Sequence, residues 1–214
     1  MDGLELRKPL FPRFQAYVES EQKEREDEGV HWLFAPAGEY TVKLNIRGHQ
    51  LGILGLNTAW LSGSDADEHR LTPGKGILET GLAELKKSDT RIVLGHHPLD
   101  WFSGEELQPI RSLLGKNRAI YLHGHLHKTA GGQEFGAGYP FLSLQAGASF
   151  QAREDDLWVN RILWCALAPQ EQYLEIEPWR WSRNYQEWVP DGDAFPGRYR
   201  QPGMASWRLP LPSL

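Results

Sequence analysis

Cysteine is nearly absent: Cys165 is the only one in 214 residues. No disulfide can form within the chain, and no zinc site built on several thiolates can exist. Long apolar runs are also missing, so no segment reads as a membrane helix. The opening stretch, MDGLELRKPLFPRF, lacks the apolar centre of a signal peptide. These absences leave a cytoplasmic location as the expectation. There is no excess of positive charge either. With 23 Lys and Arg against 28 Asp and Glu the formal net charge is -5, which argues against a general nucleic-acid binder with a basic face. A phosphorylated substrate stays open, because metal ions can supply positive charge locally. No internal repeat and no low-complexity tract occurs.

What is there is an ordinary globular composition, 40% hydrophobic and 24% charged, in a chain long enough for one sizeable core. FPRFQAYVESEQKEREDEG reads as a helix with Phe14, Tyr17 and Val18 on one face, a solvated charge run over 19–28, and Gly29 as its stop. EYTVKLNIRGHQLGILGLNTAWL reads as a hairpin turning near Arg47–Gly48 and returning through the apolar strand 51–56. A polar loop follows. Thr72 is placed to cap a helix that starts at Pro73, runs to about Lys87 and buries Ile77, Leu78, Leu82 and Leu85.

Two short strands come next, 91–94 and the apolar run before His123, each ending in a histidine-bearing loop. Between them Ser103 and Glu106 match a capping box for a helix reaching about Leu114. The remainder is strand-like through YPFLSLQAGASF, WVNRILWCALA and QYLEIEPWRW. Six of the nine tryptophans lie beyond residue 150, and Trp158, Trp164, Trp179, Trp181 and Trp188 are expected to pack a sheet and its rim. The domain is expected to span 1–190. An irregular tail rich in Pro, Gly and Arg follows over 191–214.

Five of the eight histidines fall in two segments, His96 and His97 in GHHP, then His123, His125 and His127 in HGHLH. Both segments sit where a buried strand gives way to a loop, the edge at which α/β proteins bind ligands. A lone histidine there is usually an ordinary polar residue. Two clusters, each ending a strand, point instead to metal, for which neutral imidazole is the commonest side-chain ligand. Gly124 is placed to let the backbone bend between His123 and His125.

GHHP at 95–98 and GHLH at 124–127, in that order and each behind a strand, resemble the last two motifs of the calcineurin-like metallophosphoesterases. LGILGLNTAWLSG at 51–63 resembles the strand and loop between that family's two halves, and the likeness extends to about residue 190. The resemblance implies an α/β (α+β) fold, a sandwich of two β-sheets flanked by helices. It implies a dinuclear site at the strand ends, with His96 and His125 on one ion and His127 on the other. His97 fills the family's variable place, as a residue of the substrate pocket or of the packing. His123 precedes the motif and reads as structural, with a role behind the ligands as the alternative. The implied cofactors are divalent transition metals, Mn, Fe, Zn or Ni. They would clamp a phosphate mono- or diester about 3.5–4 Å apart and activate water for its hydrolysis.

The family's first three motifs, Asp-x-His, Gly-Asp-x-x-Asp and Gly-Asn-His-Asp/Glu, have no counterpart here. Asp67-Glu68-His69 copies the first motif's letters from within a polar loop and reads as surface. On this resemblance the chain is the C-terminal part of the domain, incomplete at its N-terminus, able to hold one ion at best without a missing segment or a partner chain. No catalytic residue is identified in it. Three readings follow: a metal-dependent phosphoesterase completed from elsewhere, a non-catalytic metal-binding remnant or interaction module, and a plain fold with clustered histidines. Trp60, Trp101 and Phe102 could rim a pocket or anchor loops, and Arg183 and Arg198 could meet phosphate.

Overall fold

The computed structural model describes residues 8–25, 32–35, 38–126, 129–149, 159–195, 197 and 206–212. Within them the chain is a mixed α/β protein with two sheets. Helix α1 spans Pro12–Arg25, α2 Lys75–Glu84 and α3 Gly104–Lys116. The strands are β1 Trp32–Phe34, β2 Tyr40–Ile46, β3 His49–Gly55, β4 Thr90–Leu94, β5 Ile120–His123, β6 Ala130–Gly136, β7 Tyr139–Gln145, β8 Arg161–Ala168, β9 Tyr173–Ser182, β10 Glu187–Pro190 and β11 Trp207–Pro210.

The first sheet has seven strands in the order β1-β2-β3-β4-β5-β7-β6. Its centre is parallel: β3, β4, β5 and β7 run side by side, with Gly55 level with Leu94, Leu94 with Leu122, and Leu122 with Leu144. Antiparallel hairpins flank this centre, β2–β3 on one side and β6–β7 on the other. Each hairpin turns through two residues of positive φ, Arg47 (53°) with Gly48 (85°) and Ala137 (51°) with Gly138 (82°). Paired left-handed turn residues match the twist of the strands they join.

Parallel strands need cover on both faces. One face carries α2 and α3. Leu78 and Leu82 of α2 and Ile110 and Leu114 of α3 pack on Leu54, Val93, Tyr121 and Phe141 of the sheet. Gly115 and Gly136 let α3 lie against the β6–β7 hairpin, since a Cβ on Gly136 would meet the Arg111 carbonyl oxygen at 1.7 Å. The other face carries the second sheet. Ile120, Leu142 and Leu144 form a second core there with Leu174, Ile176, Phe195, Trp207 and Leu209.

In that second sheet β9 is the spine. β8 pairs along one of its sides, while β11 and β10 share the other, β11 at Tyr173–Ile176 and β10 at Trp179–Ser182. The described parts of the segment expected to be an irregular tail, residues 191–195 and 206–212, therefore belong to the fold. Asp191, 3% exposed in its side chain, pairs with Arg161 Nε at 2.8 Å, and Trp207 is fully buried. Its Pro and Gly content hid a four-residue strand that pairing with β9 stabilises.

Two helix starts differ from expectation. The N-cap is Gly74 and not Thr72; α2 begins at Lys75 behind this glycine, whose φ is 102°. Ser103 precedes α3 without a side-chain capping bond. Glu106 reaches across to the neighbouring helix, where its Oε2 accepts from the amides of Gly74 (2.9 Å) and Lys75 (2.7 Å). A carboxylate at a helix N-terminus satisfies orphan N–H groups and opposes the helix dipole, so these two bonds tie the start of α2 to α3. No helix among the described residues is long and apolar enough to cross a membrane.

Placing β11 in the core predicts that Trp207→Ala costs about 3–5 kcal/mol, the range for a buried Trp truncated to Ala. Trp164→Ala, at a position 64% exposed on β8, is expected within about 1 kcal/mol of the parent. Urea unfolding midpoints of the two variants read the difference.

Candidate functional site

The parallel centre sends the ends of β3, β4, β5 and β7 to one edge. Main-chain bonds continue beyond the strands there. The amide of Leu56 donates to Leu94 O (2.8 Å), Gly95 to Leu122 O (2.9 Å), Gly124 to His96 O (3.1 Å) and Ala146 to His123 O (2.9 Å). The two histidine loops are thereby tied to each other, and not merely adjacent.

Three side chains set the first loop. The buried Thr58 hydroxyl accepts the amides of His96 (3.1 Å) and His97 (3.2 Å), and its oxygen lies 3.0 Å from His97 Nδ1. From beneath, Tyr121 donates its hydroxyl to His97 O at 2.6 Å. That crossing explains the glycine of GHHP: a Cβ on Gly95 would stand 2.3 Å from Tyr121 Oη. Trp101 closes one wall. It stacks on His97 with ring centroids 5.5 Å apart at 26°, and its edge meets His125 at 4.0 Å. Its loop is pinned by Leu71, whose amide donates to Trp101 O and whose carbonyl accepts from Ser103.

The second loop bends at His125, and Gly124 is not the hinge. His125 has φ 70°, in the left-handed region, where a non-glycine residue carries a backbone cost on the order of 1 kcal/mol or more. The bend turns its ring toward His96. His125 Nδ1 and His96 Nε2 stand 3.2 Å apart. Two nitrogens bound to one divalent ion at about 2.0–2.1 Å lie about 2.9–3.4 Å apart for ligand angles between octahedral and tetrahedral. The His96–His125 pair, joined here by a hydrogen bond between the two rings, has that spacing.

His96, His97 and His125 each offer a nitrogen within 4.8 Å of the others, and this group contains no carboxylate. The structure thus brings together two of the three expected ligands and adds His97; His127 lies outside the described residues. His123 points under the helix layer, stacked on Tyr121 at 5.2 Å with Nε2 3.3 Å from Ser143 Oγ. Asp67 is a loop organiser: its Oδ2 accepts from the amides of Gly63 and Ser64, which hold its carboxyl below the usual range.

Of the three aromatic candidates, Trp101 meets the cluster. Phe102 is core, and Trp60 anchors a loop through Nε1 to Thr72 O at 2.9 Å. Arg183 sits in the β9–β10 turn, and Arg198 and Trp158 lie outside the described residues. Thr58 was missed in the sequence, where nothing marks a threonine 38 residues from the loop it clasps. Comparison of the sequence with models of known families finds no match, and comparison with curated proteins finds none either.

Burial above all, then the rings of His96 and His125, hold His97 down at about 4; burial likewise takes His123 to about 4. In the unfolded chain both titrate near 6.5. Between about pH 6.5 and 4 the unfolded state binds more protons, so stability falls as the pH drops through that window. The metal-free protein is expected to unfold at lower urea at pH 5 than at pH 7.5, by on the order of 1 kcal/mol per ring. An equal or higher midpoint at pH 5 would contradict the buried neutral state.

Gly95→Ala forces Tyr121 off His97 O. It is expected to cost about 1–3 kcal/mol, read as a lowered melting temperature, whereas Gly63→Ala, with open space around it, is expected to leave it near the parent's.

Proposed function

We propose that the histidine cluster is a divalent-metal site, and that the chain is a metal-dependent phosphoesterase of the calcineurin-like type, acting on a phosphate mono- or diester. The observation that carries the metal reading is the His96–His125 nitrogen pair at 3.2 Å, held by a left-handed residue at the mouth of two parallel strands. The family reading rests on GHHP and GHLH and on the two-sheet α/β architecture, which accords with a calcineurin-like sandwich. On this reading His96 and His125 hold one ion and His127 serves a second, with Mn, Fe, Zn or Ni as suited metals.

The residues present fit one such ion as neutral nitrogen donors. When bound, it would supply Lewis acidity and lower the pKa of water. The chain's own part is to orient: Thr58 and Tyr121 fix the His96–His97 backbone, the Gly124–His96 bond fixes the loops to each other, and Trp101 excludes water from one side.

A second reading is favoured by the donor set. Three imidazoles without a carboxylate leave the charge of two ions uncompensated, which suits a non-catalytic metal-binding module or a domain completed by another chain.

Elemental analysis of the purified chain, with hydrolysis of an aryl phosphodiester under added Mn, decides between them. We expect about one ion per chain, with affinity lowered more than about 10-fold in His96→Ala and His125→Ala, since even a residue behind a ligand is worth that much. Turnover abolished by His125→Ala supports the enzyme. Metal without turnover selects the module, and metal content equal in parent and variants rejects the site.

A further inference from the structure

We propose that His97 serves this centre as a fixed N–H donor and not as a third ligand, with Thr58 setting its tautomer; the role rests on the metal reading above. The three rings look equivalent by proximity, with His97 centroids 4.8 Å from His96 and 4.6 Å from His125. Hydrogen bonding at Thr58 separates them.

A hydroxyl oxygen has two acceptor positions and one proton. At Thr58 both acceptor positions are taken by the amides of His96 and His97. The proton is left to donate, and the acceptor we assign to it is His97 Nδ1, 3.0 Å away. A neutral imidazole that accepts at Nδ1 carries its hydrogen on Nε2. For Nε2 to bind metal, Nδ1 would have to become the donor, and the Thr58 oxygen would have to accept three hydrogen bonds with its own proton displaced.

The ring cannot turn to escape this. It is 1% exposed, stacked on Trp101, with its backbone tied from above by Thr58 and from below by Tyr121. With its hydrogen on Nε2 and its ring centroid 4.8 Å from His96 and 4.6 Å from His125, His97 suits the role of a preoriented donor to an oxyanion held beside that pair. Donors fixed before the charge arrives stabilise it without reorganisation. The ligand class is a phosphate-like oxyanion bound together with the metal, and His97 is a positioning residue in that assembly.

Long-range proton–nitrogen NMR of the imidazoles, in the metal-free protein and during Zn(II) addition, tests this. In the metal-free chain His97 is expected to show hydrogen on Nε2 and a bare Nδ1. Thr58→Ser should retain that signature, and Thr58→Val should lose it. On adding Zn(II), the ligating nitrogens of His96 and His125 should shift and those of His97 should keep their pattern.

His97→Gln, which keeps an N–H at a similar reach, is expected to leave Zn affinity within about 3-fold. Inorganic phosphate binding to the Zn-loaded protein should weaken about 10-fold in His97→Phe and recover in His97→Gln. Hydrogen on Nδ1 in the parent, or a Zn-induced shift of His97 Nε2, overturns the donor role and leaves the metal reading standing. Failure of the parent to bind Zn(II) overturns the metal reading and this role with it, whatever the tautomer.

Discussion

Parallel strands leave no face for water, and β3, β4, β5 and β7 meet that demand with two different layers, helices on one side and a second sheet on the other. The loops that leave the sheet after Gly55 and Leu94 carry the buried Thr58 and His97, so the hydrogen bonds between them are poorly contested by water. This is why a few contacts there, such as Thr58 on two amides and Tyr121 on one carbonyl, can hold a loop in a single conformation.

The same setting governs the charge. The buried His97 imidazole is held neutral, because a proton on it would be desolvated and then repelled by His96 and His125. Among the described residues no carboxylate joins this group of nitrogens, so a dication held there would keep its charge and attract an anion. Metal and oxyanion would then bind with positive coupling, each making the site more hospitable to the other.

The elements readable from sequence were those whose pattern is local. The β2–β3 hairpin is visible in the alternation of Val42 and Leu44 and in Arg47–Gly48, and α2 in the stripe of Leu78 and Leu82. What could not be read depends on partners distant in the chain. Glu106 satisfies the spacing of a capping box yet serves another helix, because the packing of α2 on α3 brings two orphan amides within its reach. β6, the glycine-rich AGGQEFG, has little strand propensity of its own and is held by pairing with β7 and by contact with α3. β11 is made by β9. In the site, His96 and His125 stand out by spacing and by position after strands. His97 is held by Thr58, 39 residues away in the chain, and no periodicity links the two.

His125 carries a further consequence in its backbone. A φ of 70° is comfortable for glycine and tolerable for asparagine and aspartate, whose short polar side chains favour the left-handed region, while β-branched residues are excluded. The substitutions that keep this loop intact are therefore few, and two of them still carry an oxygen able to bind a hard cation. The fold permits this position to drift between imidazole, carboxamide and carboxylate without breaking the turn, so the donor atom offered beside His96 could be exchanged by a single replacement at a place where most other replacements would cost the loop itself.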